Sequence, residues 1–178
     1  MSTLKTDLLD IGYKEGGATM NARMANHNDV DKLIKARFDY FATEKWEVTN
    51  DMRDGICSQL QQYYTKHLNV DFFAALMETD SGIIVSTAFL VIFEKPANLS
   101  WPTGKTGMIL NVLTYPEYRK MGYATNTMNM LIEEAKKQDL SYIELSASDL
   151  GKQVYKNLGF QENKTSNFTE MKMSLLYL

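Results

Sequence analysis

The chain has 178 residues, of which 44% are hydrophobic and 23% charged, ordinary globular usage with enough length to bury one sizeable core. Its 19 basic and 22 acidic residues leave a formal net charge of -3, so no basic face is evident and nucleic acid is excluded as a main partner. The lone cysteine, Cys57, allows no internal disulfide, and neither a signal-like apolar run near Met1 to Asp10 nor a bilayer-length uncharged stretch occurs; the expectation is a soluble, cytoplasmic protein with no membrane partner.

Residues 1–18, through the Gly16-Gly17 pair, lack clear periodicity and read as an N-terminal extension, leaving 19–178 as a single domain. Thr19 to Ala25 suits a short strand. Asn28 or Asp29 then offers a helix cap, and Val30, Leu33, Ile34, Phe38 and Phe41 recur at helical spacing after it. A polar link carrying Trp46 leads to a second helical stripe of Met52, Ile56, Leu60, Tyr63 and His67.

The period then changes. Val70 to Thr79 and Ile83 to Phe93 are β-branched and aromatic runs joined at Asp80-Ser81-Gly82, the pattern of an antiparallel hairpin. Glu94 to Lys105, with Pro96, Pro102 and Gly104, reads as a loop, and Gly107 to Thr114 as a third buried strand. Ala124, Met128, Leu131, Ile132 and Ala135 form a helical stripe. Ser141 to Ser146 reads as a strand, Asp149 to Asn157 as a short helix stopped by Gly159, and Phe168 to Leu176 as a last strand. The order predicts a mixed α/β fold without internal repeats.

Between the third strand and the long helix lies Tyr115-Pro116-Glu117-Tyr118-Arg119-Lys120-Met121-Gly122-Tyr123-Ala124. A helix N-terminus presents unpaired main-chain N–H groups and partial positive charge, so an anion placed there is held by the backbone itself. Gly122 lets that backbone approach a ligand, Ala124 keeps the first turn small, and Arg119 and Lys120 add cations. Alone, a one-glycine turn between solvated cations would be a weak signal.

The spacing Arg119-x-x-Gly122-x-Ala124, after Pro116-Glu117-Tyr118 and a strand, resembles the acetyl-CoA-binding motif of the GNAT N-acetyltransferase superfamily. A helix and a strand later, Val154-Tyr155-Lys156-Asn157-Leu158-Gly159-Phe160 is similar to that family's second signature. The resemblance covers about Gly107 to Phe160. It implies a central mixed sheet, antiparallel in its N-terminal half, with flanking helices and a splayed strand pair holding the acyl-coenzyme. It also implies acetyl-CoA as co-substrate, no metal, direct attack by an amine in a ternary complex, and a homodimer as a common assembly.

Carried over residue by residue, the resemblance assigns Val112, Leu113 and Thr114 to pairing with the pantetheine arm. Arg119, Lys120, Met121, Gly122, Tyr123, Ala124 and Thr125 would grip the pyrophosphate. Tyr155 would be the catalytic proton donor to the departing thiolate, and a backbone N–H near Val112 or Leu113 the oxyanion donor. Ser148 stands where many relatives carry an asparagine, and Gly151 where small residues are usual because the coenzyme passes close. No carboxylate lies on the strand Leu110-Asn111-Val112, so a general base would be a water or one of Glu44, Glu47, Glu78 and Glu94. Trp46 and Trp101 fall in loops that the family places near its acceptor groove.

Other features carry less. Gly104-Lys105-Thr106 ends like a P-loop, but a strand follows where a P-loop needs a helix, and no Gly-x-Gly-x-x-Gly occurs. His27 and His67 each lack a nearby second ligand, and Cys57 sits at a helix-interior position typical of small core fillers. Three functions stay open: acetylation of a small-molecule amine, acetylation of a protein or peptide, and a non-catalytic acetyl-CoA sensor.

Overall fold

The structure, a computed structural model, describes residues 13–15, 18–162 and 171–175. These residues form two compact units, the first ending at Ser146 and the second beginning at Ala147.

The first unit is built on a six-stranded sheet whose spatial order follows the chain. Strand β1 (Tyr13–Glu15) pairs antiparallel with β2 (Ala18–Met24), so sheet pairing begins inside the stretch read from the sequence as an extension. Asn26 caps a short turn that precedes the helix, and Asp29 stands at the N-cap of the helix itself without a side-chain bond into it. The Asn26 side chain accepts from Asn28 N–H at 2.9 Å while the Asp29 carboxylate accepts from Asn26 N–H at 2.9 Å. This reciprocal capping box closes a 3-10 turn, His27–Asp29, that leads into α1 (Val30–Thr43). Helix α2 (Asn50–His67) starts on Thr49, whose hydroxyl accepts from Met52 N–H.

Strands β3 (Phe72–Thr79) and β4 (Ile84–Glu94) form the expected hairpin, with Gly82 in the left-handed region that its turn needs. Strand β5 (Lys105–Thr114) continues the antiparallel run, and Gly104-Lys105-Thr106 enters it directly. Helix α3 (Tyr123–Lys137) crosses the opposite face from α1 and α2 and buries Tyr123, Thr127, Met128, Leu131 and Ala135. Compared with the expected stripe, the buried face is rotated to take in Tyr123 and Thr127; the Thr127 hydroxyl is satisfied by the carbonyls of Tyr123 and Ala124.

The core on the α1 and α2 side is strongly aromatic: Tyr64 stacks on Phe72 at 4.9 Å, and Phe72 meets Phe89 edge-on at 5.4 Å. Strand β6 is far shorter than the stretch Ser141 to Ser146 read from the sequence. Only Ile143–Glu144 pair, parallel to Gly107 and Met108 of β5. Among the described residues, β5 therefore has no partner strand on its β6 side from Ile109 to Thr114. The mixed sheet, antiparallel in its N-terminal part with an opened last strand pair, is the predicted architecture.

The second unit holds helix α4 (Asp149–Asn157), capped by Ser148 and ended by Gly159 with φ of 94°. Lys152 and Lys156 both reach the Glu162 carboxylate, at 2.8 and 3.1 Å. Of the last predicted strand, 171–175 carry no regular structure and the remaining residues lie outside the described ones.

Candidate functional site

A bulge interrupts β5 just before its open end. Thr87 faces Leu113 while Phe89 faces Leu110, so β5 fits one residue more than β4 into the same span. Asn111 absorbs it with φ of 54°, an uncommon conformation for a non-glycine residue that asparagine tolerates better than most. Its side chain is fully enclosed and fully used. Nδ2 donates to the Ala36 carbonyl and to the Thr87 hydroxyl, both at 3.3 Å, and Oδ1 accepts from Arg37 Nη1 at 3.3 Å.

Beyond the bulge the Leu113 carbonyl faces β4 and accepts from the Ser86 hydroxyl at 2.9 Å. Since backbone groups alternate along a strand, those of Val112 and Thr114 face the open edge. Of the three residues assigned to the pantetheine arm, Val112 and Thr114 thus present main-chain groups outward, and Leu113 is turned inward.

The turn after β5 is shaped by the backbone. Arg119 N–H is spent on Pro116 O, and Arg119 Nε donates to Thr114 O at 3.0 Å, which ties the turn back to the strand end. Lys120 has φ of 65° and Gly122 φ of 81°. Successive N–H groups in such a turn converge into an anion-binding concavity. Helix α3 then starts without a side-chain cap. Among the described residues, the N–H groups of Lys120, Met121, Gly122, Ala124 and Thr125 find no acceptor. A Cβ on Gly122 would meet no atom within 4 Å, so the space against this backbone is open.

In the second unit, Ser148, Gly151 and Tyr155 share one helix. Ser148 Oγ accepts from Gly151 N–H at 3.3 Å as the helix cap, a structural use of the hydroxyl. Gly151 has a local reason to be small: a Cβ there would lie 2.8 Å from Cε2 of Tyr155 and 3.2 Å from its hydroxyl oxygen. The Tyr155 ring, largely buried, also meets Phe160 edge-on at 6.1 Å.

The four candidate bases separate. Glu78 is committed to Arg23, at 2.7 Å, and lies near Lys32, whereas Glu44, Glu47 and Glu94 are exposed. Trp101 is pinned in its loop by Nε1 donating to Pro96 O at 2.9 Å with the Lys95 ammonium over its ring. Trp46 stacks on Phe41 at 5.3 Å. A cleft of about 420 Å³ runs between Lys32, Lys35, Ile84, Tyr115, Glu117 and Tyr118, and no expected site residue lines it. Tyr115 closes one end by donating to Asp39; burial first, and then this bond, push its hydroxyl above the usual tyrosine value. Among the described residues, no three His, Cys, Asp or Glu side chains gather as a metal site, and no helix is long and apolar enough to cross a membrane.

Sequence reasoning does not single out Arg37. Its position on α1 falls within the stripe of Leu33, Ile34, Phe38 and Phe41, where an apolar residue would be expected, and that misfit is the available signal. Asn111, a polar residue inside Leu110-Asn111-Val112, gives the matching signal on β5.

The fold thus defines a mixed α/β protein whose sheet opens beside a turn of main-chain N–H groups without acceptors among the described residues. Residues 36–160 match the acetyltransferase (GNAT) family. A predicted acetyltransferase of Clostridium acetobutylicum, crystallised with acetyl-CoA, is 32% identical over 86% of this chain and 96% of its own, with a TM-score of 0.74. A GCN5-related N-acetyltransferase from Ralstonia eutropha JMP134 (22% identity, 85% and 98% coverage, TM-score 0.69) shares the fold. So does glucosamine-6-phosphate N-acetyltransferase from Arabidopsis thaliana (21%, 86% and 98%, TM-score 0.60). No curated protein matches the sequence. The chain belongs to the acetyltransferase (GNAT) family and is an N-acetyltransferase.

Proposed function

We propose that residues 19–178 work as one cytosolic domain that transfers the acetyl group of acetyl-CoA to a primary amine of a small molecule. The observation that carries this reading is the set of unpaired N–H groups of Lys120, Met121, Gly122, Ala124 and Thr125 at the start of α3, beside the open edge of β5. A pyrophosphate supplies the acceptor oxygens those donors lack, and an extended pantetheine arm supplies the amide groups that Val112 and Thr114 can pair. The acetyl-CoA held by the Clostridium acetobutylicum relative supports the same co-substrate.

In the reaction, the amine nitrogen forms a bond to the thioester carbonyl carbon as the carbon–sulfur bond breaks. The amine's proton leaves, and the thiolate takes a proton to depart as free coenzyme A. Tyr155, buried on α4 in the position that the family motif gives its proton donor, is assigned the second proton transfer. Among carboxylates, Glu78 is unsuited to accept the amine's proton, because Arg23 holds it as an ion pair. Glu44, Glu47 and Glu94 are solvent-exposed carboxylates, and a water is assigned as the acceptor.

The test pairs calorimetric titration of acetyl-CoA with thiol release against a panel of amines. Gly122→Glu puts a β-carbon at φ of 81° and a negative charge on the proposed pyrophosphate path, so affinity should fall by about 100-fold or more. Unaltered affinity would remove the turn from the site.

A further inference from the structure

We propose that Arg37, held against the β5 bulge, binds the carboxylate of the acceptor, so that the amine this enzyme acetylates is an amino-carboxylate such as an amino acid. The inference rests on the acetyltransferase reading and concerns its second substrate.

Buried charges are ordinarily paired. Arg37 is half-buried on the packed face of α1, yet no carboxylate pairs with it among the described residues. Its only hydrogen bond there is from Nη1 to Asn111 Oδ1. The guanidinium carbon stands 4.8 Å from the centre of the Phe41 ring and 5.9 Å from that of Tyr40, which fixes the plane of the group. Nε and Nη2 are left without acceptors, and those two donors form the fork that meets a carboxylate through two parallel bonds. Desolvation holds the guanidinium below its ordinary pKa, the sign of a cation waiting without its counter-charge.

A second group points the same way. Tyr64 is 2% exposed, its hydroxyl has no hydrogen-bond partner among the described residues, and it lies close enough to Arg37 for the charge to act on it. Every fully enclosed side-chain nitrogen and oxygen there does have a partner, so the Tyr64 hydroxyl is not wholly enclosed. Arg37 and Tyr64 together offer one positive charge and three donors. No other cation is among the contacts of Arg37, which suits a singly charged carboxylate better than a phosphate dianion.

The location makes the group a reader of the acceptor. Asn111, which orients Arg37, is the bulge residue next to Val112, where the thioester is proposed to lie. An amine brought to that thioester has its remaining atoms beside α1. Lys32 and Lys35, the other cations of α1, lie on its far, exposed side and are already engaged by Asp29, Glu78 and Asp39.

The experiment compares amino acids with their carboxamides as acceptors, following thiol release from acetyl-CoA, with wild type, Arg37→Gln, Arg37→Lys and Tyr64→Phe. Wild type should favour at least one carboxylate over its amide by about 30-fold or more in kcat/KM, a ratio typical of a charge-assisted bidentate contact. Arg37→Gln should bring the ratio near one, chiefly through KM, and Arg37→Lys should restore only part of it. Tyr64→Phe removes a hydroxyl without internal bonds, so it keeps the fold and should lower the ratio by about 5-fold. Wild type that acetylates amides as well as carboxylates overturns the assignment, and so does an undiminished preference in Arg37→Gln or Tyr64→Phe. In either case, intact acetyl-CoA binding by calorimetry leaves the acetyltransferase reading standing. Failure of wild type to bind acetyl-CoA overturns that reading and this one together.

Discussion

Arg23 and Arg37 bring the same side chain to two places in one unit, and their surroundings could hardly differ more. All the N–H donors of Arg23 are used: Nε and Nη2 on Glu78, Nη1 and Nη2 on Asp29, and Nη1 also on the Met24 carbonyl. Arg37 has one hydrogen bond and two aromatic faces. The first arrangement is complete without any ligand and welds β2, β3 and the start of α1 together. The second is oriented but unfinished. A saturated buried network belongs to the scaffold, and an oriented, unsaturated donor set belongs to recognition. The turn into α3 is unsaturated in the same sense, with main-chain donors in place of a guanidinium.

Several substitutions can break or sharpen this contrast. The largest effect is expected for Arg23→Ala, which leaves the Asp29 and Glu78 carboxylates facing each other with only Lys32, 3.8 Å from each, as a cation. It should cost about 3–5 kcal/mol of stability, seen as a melting temperature lower by about 10 °C. A loss below about 1 kcal/mol would mean that the network is no scaffold element. Next comes Tyr155→Phe, which should reduce kcat by about 100-fold while the calorimetric affinity for acetyl-CoA changes little. Parallel loss of rate and affinity would make Tyr155 a packing residue.

A pH titration probes the same contrast more gently. The hydrogen bonds from Arg23, opposed by desolvation, hold the Asp29 carboxyl below its usual value. Its contribution to stability is therefore complete above the unfolded value near about pH 4 and is lost as pH falls through the folded value. Asp29→Asn should be less stable at neutral pH and should show a flatter decline below about pH 4 in thermal melts; an unchanged acid limb would break the linkage. The smallest effect is expected for Arg37→Gln on stability. Because the guanidinium lacks a partner, its removal should shift the melting temperature by no more than about 3 °C, in contrast to Arg23→Ala. A shift as large as that of Arg23→Ala would erase the distinction between the two arginines.

Local features are the legible ones. The β3–β4 hairpin follows from a turn sequence between two β-branched runs, and the turn into α3 from a glycine before an amphipathic helix; neither needs a distant partner. The sequence puts Asp29 at the start of α1 but misses the turn before it: Asn26, Asn28 and Asp29 are equally good caps in isolation, and the reciprocal bond between Asn26 and Asp29 turns the Asp29 carboxylate away from α1. Gly151 also has a local reason to be small that the sequence does not show, the clash a larger residue would make with Tyr155 one turn along its own helix.

What the sequence determined by itself was the family, through the resemblance of two motifs, the order of elements from β2 to α4 and the position of the turn into α3, because these rest on periodicity and on spacings of a few residues. Only tertiary structure decided where β6 stops pairing, which of Val112, Leu113 and Thr114 turn outward, and that Arg37 meets Asn111. Those facts depend on a one-residue bulge and on contacts between segments far apart in the chain. A side chain's partners across such a distance are set by how whole elements pack, and no local pattern of residues encodes them.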